Sequence, residues 1–274
     1  MHLLSRTEEE SLSMKFAYAV LTLGATLSLT TVSNAATITF TGNESDFTSQ
    51  SVVAHVDGID TEGFCGANPL DIENLYITHD NTNVYIGMKY ARGCFCDINL
   101  AWAIDVAAGG TPSDPFCRQI DWSSEASPPD YYVYDVIPTN CNGYNYEVLY
   151  HTNGSGGWST VHDGANGLGI VDSDGGNFVE MAISWADLGF SAGAPCNTSL
   201  NLEAFVTQEG CSKPAFDMVA NDAEQRSSLS GTCFDVGPGA CDTSHPSTYV
   251  TYSTGECGTP VQSKSWGSIK SLYR

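Results

Sequence analysis

The strongest constraint on this chain is a two-residue rhythm. Leu75 and Ile77 alternate with Tyr76 and Thr78. Val84, Ile86 and Met88 alternate with Tyr85, Gly87 and Lys89, and Leu100, Trp102 and Ile104 with Ala101 and Ala103. Successive side chains of a strand point to opposite faces, so each segment reads as a half-buried strand. The turn-rich run His79-Asp80-Asn81-Thr82-Asn83 joins the first two as a hairpin. Further strands are predicted over 37–41, 131–137, 144–150, 177–183, 200–207 and 248–252. Helical periodicity is nearly absent. One short helix is expected at Ser184-Trp185-Ala186-Asp187, where a capping serine precedes an acid and Leu188-Gly189 closes the turn. Many short strands split by Gly, Asn, Asp and Ser predict an all-β chain, an antiparallel β-sandwich with long loops.

The compartment follows from the N-terminal segment and the cysteines. Lys15 precedes the apolar run Phe16 to Ala25, which thins into small residues and ends at Ser33-Asn34-Ala35-Ala36. A positive residue, a short apolar stretch and a small-x-Ala site make a secretory signal over residues 1–35, with Met14 as a second candidate start. The run is too short and too broken by Gly and Thr for a membrane anchor. All 10 cysteines fall after it: Cys65, Cys94, Cys96, Cys117, Cys141, Cys196, Cys211, Cys233, Cys241 and Cys257. An even number behind a signal, with no C-x-x-C spacing, reads as disulfides formed in an oxidising compartment. Their pairing is not derivable from sequence. Residues 36–257 are expected to form a single sandwich domain, with 196–257 as long stapled loops that have strands at both ends. The tail, 258–274, turns basic and aromatic. It reads either as a frayed terminus or as a terminal address for export or cell-surface attachment.

Charge narrows the partners. Asp and Glu number 32 against 10 Lys and Arg, a net charge of -22. Phosphate backbones and anionic lipid are repelled by such a chain, so nucleic acid is excluded as a partner, and no membrane insertion is expected. The acidity reads either as solubility in an extracellular setting or as carboxylates converging on a hard cation.

Four blocks resemble one family. Thr37-Ile38-Thr39-Phe40 with Gly42-Asn43-Glu44-Ser45-Asp46-Phe47 resembles the opening strand and turn of family 9-like carbohydrate-binding modules, with Phe47 in place of Trp. Asn74 to Asp80 with Asn83 to Met88 resembles the family's paired strands, and Trp102-Ala103-Ile104-Asp105 the strand before its acidic loop. Phe178 to Gly189 resembles "F-E-x-A-I-P-W-x-D-L-G". The blocks fall in family order between Thr37 and Gly189. The resemblance, shared with the DOMON-like domains, implies a β-sandwich that binds sugar ends beside structural calcium or, in some branches, haem. The ten cysteines depart from it.

The residues add chemistry of their own. No H-E-x-x-H, G-x-S-x-G or phosphate-cradling loop is present. Glu147 and Glu180 are strand acids that could face a cleft as a catalytic pair, but read sooner as residues of a solvated sheet face or as framework hydrogen-bonders, so the chain is expected to be non-catalytic. Calcium wants several oxygens. Candidate ligands are Asp57, Asp60 and Glu62 in one loop, Asp172 and Asp174 in a second, and Asp105 and Asp114 in a third. Each loop also reads as plain turn chemistry. Haem would need an axial Met or His, and Met88 and Met181 read instead as apolar filler. Sugars stack on aromatic faces and bond to Asp, Asn and Arg. The densest such patch is Asp114-Pro115-Phe116-Cys117-Arg118-Gln119-Ile120-Asp121-Trp122. Phe116, Arg118, Asp121, Trp122, Tyr132 and Trp158 are the candidate ligand-binding residues, whereas Trp102 and Trp185 read as packing. Asn43, Asn153 and Asn197 begin glycosylation sequons. The expected function is a secreted carbohydrate-binding protein whose partner is a polysaccharide or glycan. The alternative is a structural or interaction protein of the cell surface or an extracellular assembly.

Overall fold

The computed structural model describes residues 38–39, 41–48, 54–56, 70–92, 98–136, 146–163, 171–172, 177–191, 193–208, 211, 213–219 and 243–255. They carry one short helix, α1 (Ser45–Thr48), and twelve strands: β1 (His55–Val56), β2 (Leu70–His79), β3 (Asn83–Arg92), β4 (Ile98–Asp105), β5 (Tyr131–Val136), β6 (Tyr146–Thr152), β7 (Trp158–Asp163), β8 (Val171–Asp172), β9 (Phe178–Ser184), β10 (Ser199–Gln208), β11 (Ala215–Met218) and β12 (Val250–Ser253). Every pairing between these strands is antiparallel. They form a five-stranded sheet, β1-β2-β3-β9-β8, and a seven-stranded sheet, β11-β10-β4-β5-β6-β7 with β12 beside β10. The all-β antiparallel class is as the alternation predicts. No helix among the described residues is long and apolar enough to cross a membrane.

The alternating residues meet where the rhythm places them. Leu75, Ile77, Val84, Ile86 and Met88 of the first sheet share one buried cluster with Leu100, Trp102, Ile104, Leu202 and Val206 of the second. Trp185 and Met181 belong to the same cluster, so Trp102 and Trp185 are packing residues, and Met88 and Met181 are buried among apolar neighbours. The β2–β3 link is fixed by Asp80. Its Oδ1 accepts from the amides of Thr82 (2.6 Å) and Asn83 (2.8 Å), and its Oδ2 from the Tyr85 hydroxyl (2.7 Å). Such an Asx turn is what Asp followed by Asn and Thr favours.

The strands are not half-buried. Tyr76 and Tyr85, on the outer side of the first sheet, are covered together with Phe47 and Phe178. Ala101 and Ala103, on the outer side of the second, lie under Trp122 and Ile120. Each sheet therefore has a second apolar layer, one supplied by the segment around 38–48 and one by the long β4–β5 connection, 106–130. Phe47 fits because position 87 is glycine. A Cβ there would come within 2.7 Å of the Phe47 ring and 2.8 Å of Phe178.

Two local expectations are corrected. Residues 184–189 form a hydrogen-bonded turn and no helix. The capping contacts do form: Ser184 Oγ receives the Asp187 amide (3.0 Å) and donates to its carboxylate (2.6 Å). Gly189, at φ 82°, ends the turn before a second turn can add. The short helix lies instead at Ser45–Thr48. The strand expected over 37–41 is absent among its described residues 38–39 and 41, where Asp46 accepts from Thr41's amide (3.0 Å) and hydroxyl (2.7 Å) and so folds the chain back into a loop. The expected signal segment, the tail and the cysteines Cys65, Cys94, Cys96, Cys141, Cys233, Cys241 and Cys257 lie outside the described residues.

Candidate functional site

An open groove of about 480 Å3 lies where β4 ends and β10 begins. It is lined by Asp105, the backbone turn 106–108, Ser127 and the polar run Asn197, Thr198, Ser199 and Asn201. Strand register creates it, because Asn201 pairs directly with Asp105. The Asp105 carboxylate receives the Asn201 side-chain amide at 2.9 Å and the Ser127 hydroxyl at 3.0 Å. Asn201 in turn accepts from the Thr251 hydroxyl at 2.9 Å. Asp130 folds the 106–108 wall by accepting from the amides of Val106 (3.0 Å) and Ala107 (2.8 Å). Groups held this way keep their orientation without a ligand.

The charges that act on this end among the described residues are acidic. Burial raises the Asp105 carboxyl above the usual carboxylate range, the bonds from Asn201 and Ser127 offset this, and Asp130 adds to the rise. Tyr249, whose hydroxyl donates to the Ser127 carbonyl (3.2 Å), is also pushed upward. Burial is the main cause, followed by Glu125, Asp105, Glu203 and Asp130. Among the described residues no Lys or Arg lines the groove.

The predicted ligand-binding residues sit elsewhere, mostly inside. Trp122 and Tyr132 are each 0% exposed, beneath the 106–130 cover and against Phe205. They have no face free for a sugar, because the loop that looked like a platform is itself a layer of core. Arg118 is buried too. Its guanidinium lies 4.7 Å from the Phe116 ring centre and 4.6 Å from that of Tyr134, and 3.6 Å from the Asp114 carboxylate. Phe116 and Trp158 stay half-exposed, but the Trp158 indole is tied down to the Ser113 carbonyl (2.7 Å). Asp121 spends one carboxylate oxygen on the Ser123 amide (2.9 Å) and the other on its hydroxyl (2.8 Å).

No known protein-family profile matches the chain, and no curated protein sequence matches it. The site therefore stands on its own geometry.

Calcium does not fit the Asp105–Asp114 pair. The Asp114 side chain is fully buried and already serves the Tyr132 hydroxyl (2.6 Å), the amides of Phe116 (2.7 Å) and Arg118 (3.2 Å) and the Arg118 guanidinium. A carboxylate facing a guanidinium has no room for a second cation. Asp105 spends both oxygens on neutral donors. Among the described residues no group of three or more His, Cys, Asp or Glu is placed to hold a metal. Asp172 lies in β8, while Asp57, Asp60, Glu62 and Asp174 fall outside the described residues.

The two candidate catalytic acids lie on different sheets, Glu147 on β6 and Glu180 on β9. Glu180 is buried on the outer side of the first sheet and accepts from the Gly42 amide at 2.6 Å. Of the cysteines, Cys117 and Cys211 are bonded to each other and Cys196 is disulfide-bonded. Sequence reasoning missed the groove residues Ser127, Asn201, Thr198 and Ser199. The adjacency of β10 and β4 brings Asn201 to Asp105, with Thr198 and Ser199 beside it, and the 106–130 connection brings Ser127; nothing in the sequence gives either placement.

Proposed function

We propose that this is a secreted, non-catalytic glycan-binding protein whose ligand lies in the β4–β10 groove. The observation that carries the reading is the groove itself: an open groove of about 480 Å3, walled by hydroxyls, amides, one oriented carboxylate and the apolar turn Val106-Ala107-Ala108. Such a set recognises hydroxyl groups, which both donate and accept hydrogen bonds. Secretion is supported by the leader-like residues 1–35 and by disulfide use.

Ser199 is exposed and lines the groove, so Ser199→Trp fills it without touching the core. Calorimetric titration of the mature chain with plant, algal and bacterial oligosaccharides is expected to find a binder. Its affinity should fall at least about tenfold in Ser199→Trp while the melting temperature holds. Unchanged affinity in that variant would move the site elsewhere. Calcium belongs to the proposal only at the acidic segments 57–62 and 172–177. After chelation, calcium is expected to give binding heat and a higher melting temperature. The absence of both removes it from the account.

A further inference from the structure

We infer that the groove sorts glycans by charge, accepting uncharged and amine-bearing sugars and rejecting uronates and sulfate or phosphate esters. The inference rests on the glycan reading of the same groove. Asp105 lies in the wall and is nine-tenths buried, and Asp130 lies directly behind the 106–108 turn. Both accept hydrogen bonds from neutral groups only: Ser127, Asn201 and the amides of Val106 and Ala107. Two cations among the described residues are committed to acids away from the groove. Arg118 is on Asp114, and Lys89 is on Glu73 (2.7 Å) and Glu44 (3.6 Å). Glu125 and Glu203 add to the negative potential felt at Tyr249, on the Ser127 side.

An anion entering this groove finds no positive partner among the described residues and approaches at least one fixed, buried carboxylate. At an effective dielectric between bulk water and the protein interior, a like charge a few ångströms away costs about tenfold or more in affinity. An uncharged hydroxyl suffers no such cost, and a protonated amine gains. The net charge of -22 acts in the same direction at long range.

The test uses the full mature protein on a glycan array carrying neutral, amine-bearing, uronic and sulfated oligosaccharides. It is run at about 0.01 M salt, where screening is weakest. Matched backbones are then titrated: oligogalacturonate against its methyl ester, and chito-oligosaccharide against its deacetylated form. Binders confined to the uncharged and amine-bearing members, with acidic counterparts at least about tenfold weaker, support the inference. So does recovery of acidic binding in Ser199→Lys, or in Asn197→Lys if the first variant melts early. Equal binding of a uronate and its ester overturns the charge filter but leaves the glycan reading standing. Lysine variants that bind but do not shift the preference also overturn the filter. Binding of no glycan of any charge removes the glycan reading and the inference together.

Discussion

Glu180 is a carboxyl placed where charge is unfavourable. Burial pushes it up to about 7, and the amides of Gly42 and Thr41 offset only part of that. In the unfolded chain it titrates near the ordinary Glu value of about 4.3. Between those two values the folded chain holds a proton that the unfolded chain has lost, so stability falls as pH rises through this window. Glu180→Gln keeps an oxygen for the Gly42 amide and removes the charge. Thermal melts are expected to show the variant gaining on the parent at pH 8 and matching it near pH 4; equal gains at both pH values would contradict the assignment. The sequence left Glu180 between a solvated sheet face and a framework hydrogen bond and could not show its burial, which depends on Phe47 and residues 41–42 folding across β9. Arg118 was legible as a residue of interest for the right chemical reason, its scarcity as a cation in an acidic chain. In the fold it pairs with the buried Asp114 carboxylate instead of facing a sugar.

At the scale of elements, the 106–130 connection is the unexpected one. Alternation identified β2, β3 and β4 and the inward set of each, because a one-residue slip would turn every apolar side chain outward. It could not show that the outward set would be covered as well. The cover is anchored by Cys117–Cys211 and by backbone bonds from Gln119 to Lys213 (2.9 Å) and Asp121 to Ser244 (2.9 Å). Gly110 turns its base, at φ 85°, where a Cβ would sit 1.9 Å from the Pro128 carbonyl oxygen. Trp122 is the wedge of this cover. Trp122→Ala is expected to lower stability by about 3–5 kcal/mol in urea denaturation, as large-to-small changes at full burial do. A loss under about 1 kcal/mol would mean that the cover is not part of the cooperative unit. The strand β7 escaped detection for the opposite reason. It is a sheet edge with mostly exposed residues, so it has no buried face to impose a rhythm.

At the scale of the molecule, two antiparallel sheets share a core, each with a further apolar layer outside it, and a polar groove opens at the ends of β4 and β10. Loop aromatics that suggest a sugar platform in sequence are what the outer layer of the second sheet is made of, and the polar groove at the ends of β4 and β10 is the proposed ligand site. Hydrogen exchange of the mature protein, with and without a neutral oligosaccharide that binds it, tests this account most directly. Protection concentrated in 105–108, at Ser127 and in 197–201, and lost in Ser199→Trp, is the predicted result. Protection centred on Phe116 and Trp158, with none in the groove, would contradict it.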